Sequence, residues 1–225
     1  MRVVVCAFRW NAETRNMSVT VKICGITNPL DALAAAEFGA DAVGFVFHPP
    51  SPRCVSLEEA ARIAQKLPPH IVKVGVFVDA DHEIVLRAIA GCGLNLLQFH
   101  GNESPEYCLQ FGLMSMKAFR IKDAASLQEL SNYPTDAWLL DSYVLDKLGG
   151  TGEKFNWELA RDAQRLGRPI FLAGGLTPEN VADAVRVVRP YAVDVSSGVE
   201  ATPGKKDLDK VKAFIQAAKQ ADEAA

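Results

Sequence analysis

The chain has 225 residues, 49% of them apolar and 23% charged, with a formal net charge of −3, which suits one large domain or two small ones. The mild acidity, with no basic block, argues against nucleic acid or an anionic membrane as partner, but a small anionic substrate stays open. Five scattered cysteines form no CxxC pair and four histidines form no HExxH motif, so a reducing, cytoplasmic setting is expected without a disulfide framework or a metal site.

Residues 1–16 hold a short apolar core without a convincing small-residue cleavage site, and Met17 precedes the first well-patterned strand. Residues 1–18 are therefore read as an N-terminal extension, either a dispensable segment or an artefact of start-site choice. Residues 19–225 are read as a single domain. No apolar run approaches the roughly 20 residues needed to cross a bilayer, so no membrane partner is expected.

From residue 19 onward, β-branched runs alternate with alanine-rich segments. The pattern predicts strands near 19–24, 41–46, 71–77, 94–98, 115–119, 136–140, 169–173 and 191–195. Helices are expected near 29–38, 57–67, 81–90, 104–111, 124–131, 155–166, 178–188 and 207–219. Asn28-Pro29, Ser56 with Glu59, and Thr177-Pro178-Glu179-Asn180 signal helix starts. Strand–helix units at roughly 25-residue spacing imply parallel strands with right-handed crossovers. Eight of them favour a closed α/β architecture, the (β/α)8 TIM barrel, over an open sheet.

Function in such a barrel sits at the C-terminal ends of the strands. In VTVKICGITNPLDA, alternation turns Val21 and Ile23 toward the helices and Thr20, Lys22 and Cys24 into the barrel. A buried lysine needs a partner, and Asp194 of the last strand becomes its neighbour on closure. The Lys22 charge should favour the Cys24 thiolate relative to a free thiol of pKa ~8.5, although an inert core thiol fits the local sequence too.

Arg53, in HPPSPRCVS, offers a guanidinium fork to a carboxylate, or is an ordinary loop arginine. Gln98 and His100, in LLQFHGNES, share a strand face that points to the mouth. Gln98 suits a substrate or an inter-strand hydrogen bond; His100 suits an auxiliary polar role or a structural one. Arg120 reaches the same end, for ligand contact or ion pairing. Asp141 lies in the inward register of the sixth strand, where a carboxyl can act as general acid or merely cap the next turn. The loop carrying Gly149, Gly150 and Gly152 is either a mobile cover or a surface connection.

Two adjacent units carry a phosphate signal. FLAGGLTPENV places Gly174 and Gly175 after the seventh strand, and VDVSSGVEATPGKKD places Ser196, Ser197 and Gly198 after the eighth. Glycines let backbone amides approach an anion, and this is where phosphate commonly binds in the architecture. Lys205, Lys206 and Asp207 suit either the rim of that site or a solvated helix start.

The segments VKICGIT, GFVFHPPSPR, VGVFV, LQFHGNE, LLDS with GGTGEKFNW, LAGGLTPENV, and DVSSGVE with GKKD occur in a telling order. Over residues 19–217 the chain resembles the phosphoribosylanthranilate isomerases of tryptophan biosynthesis. The resemblance implies a (β/α)8 barrel that performs an Amadori rearrangement without a cofactor. The substrate would be N-(5-phospho-β-D-ribosyl)anthranilate, and the product 1-(2-carboxyphenylamino)-1-deoxy-D-ribulose 5-phosphate. It implies Cys24 as general base, Asp141 as general acid, and Arg53 as the contact for the anthranilate carboxylate. The backbone around Gly174, Gly175, Ser196, Ser197 and Gly198 would hold phosphate; apart from the resemblance, their strand positions set Gln98, His100 and Asp194 among the expected substrate-binding residues. The expected partner is this phosphorylated small molecule, and the expected assembly a monomer or homodimer. Phe99 stands where the family usually has leucine, at a position expected to face outward. Among rival phosphosugar barrels, an epimerase would bring metal-binding histidines, and an indole-glycerol-phosphate synthase would bring catalytic lysine and glutamate at strand ends. A non-catalytic phosphate-binding barrel would need neither Cys24 nor Asp141.

Overall fold

The computed structural model describes residues 18–142 and 157–223. Eight parallel strands close a barrel in chain order: β1 (Thr20–Cys24), β2 (Ala42–Val46), β3 (Val72–Phe77), β4 (Leu96–Phe99), β5 (Met114–Ile121), β6 (Ala137–Ser142), β7 (Ile170–Leu172) and β8 (Ala192–Val195). The closing seam pairs β1 with β8 and sets Lys22 opposite Asp194. Around it stand α1 (Pro29–Glu37), α2 (Leu57–Ala64), α3 (His82–Cys92), α4 (Pro105–Leu109), α5 (Trp157–Gln164), α6 (Val181–Val188) and α7 (Leu208–Glu223).

Local chemistry explains the helix starts. The Asn28 side chain accepts from Asp31 N with Pro29 in the first turn, and Ser56 accepts from Glu59 N. Several expectations shift, among them three with a local cause. The helix expected from 178 begins at Val181, because Asn180 Oδ1 accepts from Thr177 N at 2.8 Å while its Nδ2 donates to Gly175 O at 2.9 Å, holding the intervening residues as a turn. Ala125–Asn132 is a 3₁₀ rather than an α-helix; its first turn is tied by Ser126 N and Oγ to Asp123 Oδ1, each at 2.9 Å. α4 is shorter than the 104–111 expected, ending before Gly112, whose φ is 68°. An unforeseen antiparallel pair follows β8: β9 (Glu200–Thr202) with β10 (Lys205–Lys206).

Strand alternation divides the core as the sequence implied. Val21, Ile23, Phe99, Trp138 and Leu140 join the cluster between strands and helices, whereas Ala42, Val74, Leu96, Met116, Ala137, Leu139 and Phe171 fill the barrel. Full burial of a side chain such as Val21 or Ile23, both 0% exposed, contributes roughly 1.5–3 kcal/mol. At the N-terminal end of the strands, α7 ties the barrel shut: Lys219 Nζ meets Asp41 Oδ2 at 2.7 Å, and Asp222 Oδ2 accepts from Val19 N at 2.8 Å. That end is committed to stability, which leaves the opposite mouth for chemistry. The extension 1–16 and the loop with Gly149, Gly150 and Gly152 lie outside the described residues.

Candidate active site

Lys22 is fully buried in the barrel, and its Nζ donates to Asp194 Oδ1 at 2.7 Å, the pairing that strand order anticipated. Burial works against the Lys22 charge, but Asp194 and then Cys24 more than offset it, holding its pKa above the ordinary lysine value. Cys24, one inward step along β1, clusters with Val46 and Val76 at the mouth and is 7% exposed.

The expected lowering of the Cys24 pKa does not occur. Burial pushes the thiol up, Lys22 pulls it down by less, and Asp194 adds a further push upward. Free Cys24 is therefore a thiol whose ionisation is eased, not achieved, by the ammonium beside it. Both side chains pack over Gly44 of β2: a Cβ there would lie 2.8 Å from Cys24 Sγ and 3.3 Å from Lys22 Cε.

Directly after the thiol, Gly25 adopts φ 74°, a left-handed turn that few other residues tolerate. A Cβ at Gly25 would meet Arg53 Cδ at 2.7 Å and Ser196 Oγ at 3.0 Å. The loops after β1, β2 and β8 thus converge beside Cys24. Arg53 is not open on every side: Nε and Nη2 donate to Glu200 Oε1 and Oε2 at 2.8 and 2.7 Å. Glu200 also accepts from Lys206 Nζ at 3.0 Å. Burial pushes the Glu200 carboxyl up, but its bonds and attraction to Arg53 and Lys206 together hold it below the usual range. Lys206 is 3% exposed rather than set at the rim, and its Nζ also donates to Ser196 O at 3.2 Å. Lys205 is exposed in β10, and Asp207 Oδ1 accepts from the amides of Asp209 and Lys210, so the helix start accounts for Asp207 alone.

Across the mouth, Gln98 Nε2 lies 3.0 Å from His100 Nδ1, and His100 Nε2 lies 3.4 Å from Asp141 Oδ2. With the amide so oriented, Nδ1 accepts and the ring proton sits on Nε2, facing Asp141. Gln98 is 1% exposed, and its Oε1 is a buried atom with no hydrogen-bond partner among the described residues. Arg120 is exposed and has no ion pair among the described residues.

The glycine loops have the shape an anion site needs. Gly174 and Gly175 take φ 82° and 63°, two consecutive left-handed residues that turn the backbone sharply at the end of β7. Ser197, Gly198 and Val199 form a 3₁₀ turn, and the Ser196 hydroxyl is buried with no partner among the described residues. Among the described residues no group of three or more His, Cys, Asp or Glu side chains could hold a metal ion, and no helix is long and apolar enough to cross a membrane.

Comparison with known proteins gives this geometry its context. The family model for N-(5'-phosphoribosyl)anthranilate isomerase matches residues 21–217. The chain belongs to that family. It is 55% identical over 203 residues to the N-(5'-phosphoribosyl)anthranilate isomerase of Trichlorobacter lovleyi, covering 90% of this chain and 99% of the relative. The crystal structure of phosphoribosyl anthranilate isomerase from Thermotoga maritima superposes with a TM-score of 0.85 at 47% identity, covering 90% of this chain and 99% of that one. A further solved phosphoribosyl anthranilate isomerase, in complex with reduced 1-(o-carboxyphenylamino)-1-deoxyribulose 5-phosphate, superposes with a TM-score of 0.82 at 45% identity, covering 90% and 99%. This member of the family is accordingly an isomerase of tryptophan biosynthesis, acting by intramolecular rearrangement on a phosphorylated, anthranilate-derived substrate.

Glu200 and Gly44 were missed by sequence reasoning. Glu200 lies 147 residues from Arg53 in a segment that reads as a loop, and no spacing rule links the two. The strand alternation that placed Lys22 and Cys24 inward could have found Gly44, which faces Cys24 in the register of β1 and β2.

Proposed function

We propose that Cys24 and Asp141 divide the proton transfers of the Amadori rearrangement. The observation that carries this reading is Cys24 itself: a buried thiol at the mouth end of β1, beside a lysine that stays charged in the barrel interior.

Asp141, protonated, donates to the ribose ring oxygen as the C1–O bond breaks. The anthranilate nitrogen supplies its lone pair and becomes an iminium. Cys24, as thiolate, removes the proton from C2; those electrons form the C1=C2 bond, and the C=N π pair returns to nitrogen. The resulting enolamine takes a proton at C1 and loses one from the C2 hydroxyl, giving the ketone. The iminium is the electron sink, so the step as written calls on no metal or organic cofactor.

The raised thiol pKa fits this order of events. A cationic iminium beside Cys24 favours the thiolate more strongly than the free site does; the thiol proton passes to solvent at the mouth, and the base gains its charge where the substrate needs it. A donated His100 Nε2–H would orient Asp141 through Oδ2 and leave Oδ1 for the ring oxygen. Gln98 Oε1, buried and unpartnered, suits a substrate hydroxyl or N–H. The Nη1 side of Arg53 suits the anthranilate carboxylate. Phosphate would lie against Gly174, Gly175, Ser196, Ser197 and Gly198, with the Ser196 hydroxyl as one donor. Asp194 contributes mainly by holding Lys22 charged beneath Cys24. Holding both ends fixes C2 near the base, where effective concentration counts for much. A thiol base must stay reduced, so the reading includes a cytoplasmic setting.

The test is turnover by Cys24→Ala and Asp141→Asn. Each is expected to lower kcat by roughly 10²–10⁴-fold with KM and thermal stability nearly unchanged. Wild-type turnover in either variant removes that residue from its role.

A further inference from the structure

We propose that Glu200 is the positioning residue that aims Arg53 at the carboxylate end of the substrate. The inference rests on the assignment of Arg53 above and adds what holds it in place.

An arginine presents two forks, one from Nε and Nη2 and one from Nη1 and Nη2. Glu200 takes the first fork, at 2.8 and 2.7 Å, and among the described residues Nη1 has no acceptor. The end-on fork therefore remains for a second carboxylate while the side fork is anchored. The anchor is itself built rather than incidental. The Glu200 side chain is 5% exposed, and its Oε1 also accepts from Lys206 Nζ at 3.0 Å and from Gly204 N at 3.3 Å. Lys206 in turn donates to Ser196 O at 3.2 Å, in the loop assigned to phosphate, and Lys206 N donates to buried Asp31 Oδ2 at 2.9 Å. One buried carboxylate thus joins the arginine for one end of the substrate to the loop for the other. Arg53 crosses Gly25 beside Cys24 on the way, so the aim of its guanidinium sets where the aromatic ring lies relative to the base.

Position and charge make opposite forecasts for Glu200→Gln. Removing a negative charge strengthens the attraction of Arg53 for a carboxylate. Losing the bidentate anchor frees the guanidinium and weakens recognition.

The experiment compares kcat/KM for phosphoribosylanthranilate with kcat/KM for phosphoribosylaniline, which lacks the carboxylate. Glu200→Gln is expected to reduce the preference for the carboxylated substrate by roughly 10- to 100-fold, the cost of a misplacement near 1 Å, while the aniline substrate stays within a few-fold of wild type. An unchanged or larger preference, or an equal loss on both substrates, overturns the proposal. Arg53→Met run alongside separates the two assignments: if it leaves the preference intact, Arg53 is not the carboxylate contact and both readings fall. If it lowers the preference and Glu200→Gln does not, only the role of Glu200 falls. Should Glu200→Gln fail to fold, Glu200→Asp takes its place, keeping the charge but too short to span both nitrogens, with the same fall in preference expected and the same outcomes overturning it.

Discussion

Lys22 and Asp194 meet at 2.7 Å inside the barrel, and their bond crosses the seam where the first strand closes on the last. A fully buried ammonium is tolerated there only because its partner is in register. Lys22→Met alone leaves the Asp194 carboxylate without its cation and is expected to cost about 3–5 kcal/mol in chemical denaturation. Lys22→Met with Asp194→Leu should recover most of that loss, since an apolar pair of similar volume fills the same space. The restored double variant should still turn over slowly, because Cys24 has lost the ammonium that eases its ionisation.

The free thiol is raised by burial, against which Lys22 pulls only in part. Alkylation of Cys24 by iodoacetamide in the free enzyme, followed by peptide mass spectrometry, should speed up with pH through and beyond the ordinary thiol value of ~8.5. Lys22→Met should move that rising limb to still higher pH, because the pull downward is gone. A limb unchanged in Lys22→Met would show that the ammonium does not act on the base.

Gly44 is the floor on which the reactive pair rests. Its Cβ position lies 2.8 Å from Cys24 Sγ and 3.3 Å from Lys22 Cε, so Gly44→Ala must displace one or both. The expected result is a stability loss of about 1–3 kcal/mol by thermal or denaturant unfolding, together with a fall in kcat. Wild-type turnover in Gly44→Ala would mean that Sγ does not need the position it holds here.

Glu200 is held below the usual carboxylate range; burial opposes this, and Arg53 and Lys206 outweigh it. A depressed folded-state pKa makes the carboxylate's contribution to stability complete above the unfolded value of ~4.3 and lost as pH falls through the folded value. Urea midpoints of wild type and Glu200→Gln should therefore differ at pH 7 and converge below about pH 4. A difference that persists unchanged into acid would assign the effect to packing instead of charge.

Strand alternation and barrel closure were enough to place Lys22, Cys24, Asp141 and Asp194, because a period of two and a fixed strand order leave little freedom. The protonation state of Cys24 was not legible in the same way. Its neighbour Lys22 is visible in one dimension, whereas the burial that outweighs Lys22 exists only once eight strands surround it. The anchor of Arg53 escaped for a related reason: Glu200 and Lys206 face each other only through the short β9–β10 pair. The late start of α6 turned on the bonds of the Asn180 side chain back to Thr177 and Gly175, which override the capping signal at Thr177.

The central claim is that Cys24 removes the hydrogen from C2 of the ribose. Substrate carrying deuterium at that carbon tests it directly, with label loss followed by mass spectrometry in a single turnover. Wild type should release the C2 label and slow by a primary isotope effect, whereas folded Cys24→Ala that still binds substrate should retain the label at least roughly 10²-fold longer. Release of the label by Cys24→Ala at the wild-type rate would contradict the assignment.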